Sequence, residues 1–105
     1  MAIYKSKAVA VTVGTTRVQL QASEVGAIKF GVMIQADKAN SGNVFIGDDT
    51  VTTSIGIELD AGESISLADI GVAKGIHEWD LTKIYAIADG AAQKIRVIYP
   101  ELVRV

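Results

Sequence analysis

The chain has 105 residues, of which 50% are hydrophobic and 21% charged, and its net charge at pH 7 is −2. This composition predicts one packed domain spanning residues 1–105 and excludes an intrinsically disordered chain. The ten Lys and Arg residues form no run of three, so we expect no nucleic-acid or membrane binding. Because the sequence has no Cys, disulfides and thiolate metal sites are excluded.

The N-terminal segment alternates apolar residues with Lys and Thr, which favours a strand over the apolar region of a signal peptide. We therefore expect synthesis in the cytoplasm. Val9, Val11 and Val13 share one face, and after a Gly-Thr-Thr turn Val18 and Leu20 continue the alternation. The pattern predicts a β-hairpin with one solvated face.

The clearest alternation of period two runs from Ile28 to Ala36. It places Phe30, Val32, Ile34 and the two end residues on one face, with the intervening residues on the other. This segment is the best candidate for a central strand.

Turn-forming clusters of Asp, Asn, Gly and Ser divide the rest of the chain into short strands. The Thr-rich run from Val51 to Ile57 is typical of an edge strand, and residues 69–80 interrupt the pattern with two glycines and mixed polarity, which indicates an irregular loop. Pro100 either ends the last strand or lies at a sheet edge. The tail from Glu101 to Val105 is predicted to add a strand or an arm. The remaining predicted strands cover residues 43–47, 64–67, 84–88 and 94–99.

About eight short strands at spacings near ten residues predict an all-β domain. The expected architecture is a single compact antiparallel β-sandwich or jelly roll, or a small barrel. The periodicity of two persists along the chain, so we expect almost no helix.

Candidate chemical sites are weak. His77 is the only histidine, and with no Cys a zinc site beside it would depend on carboxylates. Asp37, Asn40, Asp48 and Asp49 have oxygen ligands of the kind calcium prefers, but their spacing matches no EF-hand loop, and such residues in turns usually bond their own backbone. We find no triad spacing or phosphate-binding glycine motif. The sequence therefore predicts a protein that is not an enzyme and has no cofactor and no metal.

Three segments carry a resemblance to a known class of proteins. They are Gln35 to Gly47 (QAD-x-x-N-x-G-x-V-x-I-G), Gly56 to Leu67 (GI-x-L-x-x-GES-I-x-L) and Leu81 to Val97 (L-x-K-I-Y-x-I-x-x-x-A-x-Q-K-I-R-V). The chain resembles small β-domain structural proteins of bacteriophage virions. The resemblance implies a capsid decoration or cement protein that binds the phage head and stabilises it. A tail, fibre or host-binding module of the same fold is the alternative.

Trp79 lies in a segment that looks like an addition to the pattern of the resembled proteins. A Trp beside a Gly-bearing loop is either a lid over the core or an exposed anchor for another chain. The apolar ends of the chain offer further contacts. We expect the interface to involve Ile3, Tyr4, His77, Trp79, Leu102 and Val103.

The partners implied by the resemblance are the major capsid protein or another virion protein. A second expectation is a homo-oligomer, with a trimer favoured because capsid lattices present threefold sites.

Overall fold

In the computed structural model, residues 3–21, 28–29, 31–67 and 79–104 are described. All the elements placed in this part of the chain are β-strands, in agreement with the expected all-β class. It holds ten strands, two more than the approximate number predicted. They are β1 Ile3–Val13, β2 Val18–Gln19, β3 Ile28–Lys29, β4 Met33–Ala36, β5 Val44–Gly47, β6 Ile57–Leu59, β7 Ser64–Ser66, β8 Trp79–Asp80, β9 Tyr85–Ala88 and β10 Gln93–Arg104.

Eight of these strands form two antiparallel sheets of four. The first sheet, called sheet A, has the order β1-β10-β4-β7, and the second, sheet B, has the order β2-β9-β5-β6. Strands β3 and β8 form a separate antiparallel pair. The longest ladder joins the two ends of the chain, since β1 pairs with β10 from Ile3 to Val13.

Both sheets contribute to one hydrophobic cluster. Sheet A supplies Ile34, Ile95 and Val97, all of them 0% exposed, and sheet B supplies Val44 and Ala86, which are equally buried. Val and Ile suit this position because their branched side chains pack well on a pleated surface. The two sheets therefore share one hydrophobic core.

The predicted hairpin of residues 9–21 is wrong. The alternation is present, but β1 pairs with β10 and β2 pairs with β9 in the other sheet. The chain changes sheets at Gly14, whose carbonyl accepts a 2.8 Å hydrogen bond from the Ala88 N–H at the end of β9. Alternation decides which face of a strand is buried, but it does not decide which strand lies beside it.

The predicted central strand is confirmed in its second half only. Strand β4 lies between β10 and β7, with Val32, Ile34 and Ala36 fully buried and Met33 exposed. In the first half, Ile28 and Lys29 form β3, which pairs with β8, and Phe30 lies outside the described residues. Gly31 has a φ of +61°, a left-handed conformation that departs from an extended strand.

The Thr-rich run that was predicted as an edge strand is mostly a turn. A single bridge joins Thr52 and Ile55, and the Thr52 hydroxyl accepts the N–H groups of Ser54 and Ile55 at 3.1 Å each. Strand β6 begins only at Ile57, although it is indeed an edge of sheet B. Short polar side chains that bond the nearby backbone compete with the ladder here.

Strand β10 passes through Pro100 and continues to Arg104, so the proline does not end it, and the tail does add to a strand. Strand β4 pairs with β10 only as far as Ile98. Pro100 therefore lies in a stretch whose strand partner, within the described residues, is β1. No helix in the described part of the chain is long and apolar enough to cross a membrane.

Candidate interaction surface

The two ends of the chain form a two-stranded ribbon beyond the four-stranded part of sheet A. Residues 3–7 pair with residues 99–104, with an irregularity in register between Ile3 and Tyr4. We call these two segments the arm. The sequence placed apolar residues at both ends of the chain, and the structure brings those ends together.

The arm exposes large apolar side chains. The exposed fractions are 36% for Ile3, 50% for Tyr4 and 54% for Val103. At the base of the arm, Ile98 and Met33 face each other across β10 and β4 and are 40% and 44% exposed. Clustered apolar side chains at a surface mark interaction sites more often than single ones do.

The arm is held by its β ladder and by contacts at its base. Lys5 and Glu101, which face each other in the ladder, form an ion pair at 3.6 Å, but their side chains are 59% and 36% exposed, and solvent-exposed pairs stabilise little. Tyr99 anchors the base: it is 4% exposed, and burial, followed by the charge of Glu101, raises the pKa of its phenol. Because a two-stranded ribbon alone is marginally stable in water, contact with another molecule would stabilise the arm.

Three of the six residues expected at an interface are thus exposed on the arm: Ile3, Tyr4 and Val103. Leu102 belongs to the same ribbon, where its backbone lies opposite Tyr4. His77 lies outside the described residues. The sixth residue, Trp79, is partly exposed.

Trp79 lies on β8, is only partly exposed, and packs against the hydrophobic cluster. It lines an apolar pocket of about 240 Å³ together with Ile46, Leu67 and Ile84. Its indole Nε1 is buried and has no hydrogen-bond partner within the described residues. These contacts favour a lid over the core.

We expect Trp79→Ala to lower the free energy of unfolding by about 2 kcal/mol, less than for a fully buried Trp because this side chain is only partly covered. Trp79→Phe is the matched control: it retains an aromatic ring at the same place, so it is expected to stay within about 1 kcal/mol of the wild type. Urea unfolding of the three proteins gives the comparison. Unchanged stability of Trp79→Ala would contradict the lid and favour the anchor.

Two of the three carboxylates that offer calcium-type ligands, Asp37 and Asp48, are engaged by the turns that contain them. Asp37 accepts the Ala39 N–H at 2.9 Å and pairs with Arg96 at 3.0 Å, and the backbone bond, followed by the guanidinium, lowers the pKa of its carboxyl. Asp48 accepts the Thr50 hydroxyl and N–H, which lower its pKa in the same way. No three His, Cys, Asp or Glu side chains converge in the described part of the chain.

A concave region of about 330 Å³ lies between the turns at residues 37–42 and 89–94 and has mostly polar walls. The Asn40 amide crosses it, donating to the Lys94 carbonyl and accepting from the Lys94 N–H at 2.8 Å each. Gln93 is 3% exposed and accepts the Gly42 N–H at 2.9 Å. These amides hold the two turns together, a role that the sequence reading missed because the partners are more than fifty residues apart.

No protein-family model, no curated protein and no solved structure matches this chain. The interpretation of its function therefore depends on its own residues and on the arrangement described above.

Proposed function

We propose that this chain is a structural protein of a bacteriophage virion, and that it acts as a capsid decoration or cement protein. The exposed apolar arm carries the proposal, because its exposed side chains offer a surface for a partner. The resemblance of residues 35–97 to small phage virion proteins supports the same assignment. The major capsid protein is the proposed partner.

The engagement of the polar groups is consistent with a binding role. Asp37, Asp48, Asn40 and Gln93 each bond the chain's own backbone, so their side chains serve the fold. A sandwich or jelly-roll arrangement of the two sheets is part of the proposal. It is supported by the single hydrophobic cluster to which both sheets contribute.

Co-sedimentation of the purified protein with undecorated heads of the phage that encodes it tests this function. We expect saturable binding by the wild type, and at least a tenfold weaker affinity for Tyr4→Ser/Val103→Ser, because two exposed apolar side chains at an interface centre each contribute roughly 1 kcal/mol or more. Binding to isolated tails, with none to heads, would contradict the decoration role and favour the tail or host-binding alternative.

The control variant is Ile55→Ser/Ile57→Ser. These two isoleucines are 63% and 44% exposed, and they lie in and beside the turn that precedes β6, at the edge of the other sheet. The control removes a similar amount of apolar surface, and we expect it to bind heads like the wild type. Equal loss of binding by both double variants would contradict a specific role for the arm.

A further inference from the structure

Strand β1 is an edge of sheet A and has eleven residues. The edge strands at the other margins of the two sheets, β2, β6 and β7, have two or three residues. Proteins usually protect an edge by making it short, charged or irregular. Strand β1 carries Lys5 and Lys7 near one end, whereas the stretch from Ala8 to Val13 has no charged residue.

The backbone groups on the free side of β1 can be assigned from β10. The carbonyl of Lys94 accepts a hydrogen bond from the Asp37 N–H, and the N–H of Lys94 donates to the Asn40 side chain. Both backbone groups of Lys94 therefore point away from β1. Pro100, in phase with Lys94, has no N–H to donate, and its ring lies beside Gly31, 3.7 Å from where a Cβ would be. The backbone N–H and C=O groups of the even-numbered residues of β10 therefore point away from β1.

In an antiparallel ladder, opposite residues either exchange two hydrogen bonds or direct their groups away from each other. Lys94 lies opposite Thr12, and Pro100 lies opposite Ser6. The residues of β1 whose backbone groups point away from β10 are therefore Ser6, Ala8, Ala10 and Thr12. Each offers one N–H and one C=O at the edge. All four side chains are small and exposed, and no backbone bond to another described segment occupies these groups.

We propose that a second copy of this chain adds its own β1 to this edge, antiparallel, with a twofold axis at Val9. Ser6 then bonds Thr12 of the second copy and Ala8 bonds Ala10, so every outward backbone group of these four residues is paired. The two copies of sheet A become one continuous sheet of eight strands.

Charge disfavours the registers whose axis lies nearer the lysines. With the axis at Val9, Lys7 lies opposite Val11 of the second copy and Lys5 lies opposite Val13. An axis at Lys7 would place the two Lys7 side chains opposite each other, and an axis at Ser6 would oppose Lys5 and Lys7, both of which are unfavourable. An axis at Ala8 leaves the two Lys7 residues as diagonal neighbours. Identical strands paired antiparallel make a closed interface, and hence a dimer, where the sequence led us to expect a trimer.

This interface does not depend on the proposed virion function, and light scattering on the purified protein tests it. We expect a dimer at tens of micromolar. Ala8→Pro removes the Ala8 N–H from both copies, so the dimer loses two hydrogen bonds across the interface, while the bonds between β1 and β10 remain. The dissociation constant is expected to rise about 100-fold. A monomeric wild type, or a dimer unaffected by Ala8→Pro, would overturn the proposal.

Ser66→Pro on β7 is the matched control. The neighbouring Leu67 N–H donates to the Val32 carbonyl at 2.9 Å, so Ser66 directs its N–H away from β4, at the opposite edge of sheet A. This proline therefore has a similar local cost without touching the β1 edge. We expect the dimer to persist. Dissociation of Ser66→Pro to the same extent as Ala8→Pro, with both still folded by circular dichroism, would contradict pairing through β1.

The described part of the chain has no cysteine, so single cysteine substitutions can test the register of the two β1 strands. With the axis at Val9, the two copies of that residue form a non-hydrogen-bonded pair with Cα atoms about 4.5 Å apart, a distance at which a disulfide forms. We expect Val9→Cys to yield a covalent dimer on oxidation. Thr12→Cys is the control, because its two copies would be about 20 Å apart. Absence of the crosslink in Val9→Cys, or equal crosslinking of Thr12→Cys, would overturn the register.

Discussion

Ile95→Ala is expected to lower the free energy of unfolding by about 3 to 4 kcal/mol, within the range for large-to-small substitutions in a packed core. Ile95 is 0% exposed and lies on β10 between β1 and β4, opposite Val11 and Ala36. Truncation removes its buried methyl groups and leaves a cavity that neighbouring strands cannot fill without losing register. Since small domains are stable by about 5 to 15 kcal/mol, this loss is large.

Ile98→Ala is the matched control for Ile95→Ala. Ile98 lies three residues further along the same strand, on the opposite face, and is 40% exposed. We expect a loss below about 1 kcal/mol, as for most surface substitutions. Urea unfolding of both variants measures the difference. Equal losses would contradict the assignment of inner and outer faces on β10.

Gly56→Ala is the second substitution with a large expected effect, a loss of about 2 to 3 kcal/mol. Gly56 has a φ of +142°, which side chains of L residues rarely adopt, and an added Cβ would lie 2.7 Å from Cγ2 of Val51 and 3.0 Å from the Ile46 carbonyl oxygen. Val51 is 1% exposed, so it has little room to move. Backbone strain and overpacking therefore both oppose the substitution.

Gly14→Ala is the control for this position. Nothing lies within 4 Å of an added Cβ at Gly14, and its φ is not positive. We expect its stability to stay within about 1 kcal/mol of the wild type. Thermal unfolding of the two variants gives the comparison. A Gly56→Ala variant as stable as Gly14→Ala would show that the turn before β6 differs from the one described.

The all-β class and the buried faces were predictable because burial is a local property of an alternating sequence. Val32, Ile34 and Ala36 are buried and Met33 is exposed, as the period of two requires. Strand partners were not predictable in the same way. The hairpin of residues 9–21 was the natural choice by proximity, yet β1 pairs with residues some ninety positions away.

The interaction surface was predictable in part. Apolar residues at both ends of the chain suggested contacts, but only the structure joins Tyr4 and Val103 in one arm. The free edge of β1 required the register with β10, which depends on Pro100 and Lys94. The pairing of Asn40 with Lys94 has no sequence signal, because asparagine in a turn usually bonds its nearest neighbours.

Cryo-electron microscopy of the phage particle encoded with this chain tests the virion proposal most directly. We predict density for the two β-sheets on the outer surface of the head, with the arm of residues 3–7 and 99–104 against the major capsid protein. Density in the tail or at a host-binding tip, or absence of the chain from the particle, would contradict the decoration role.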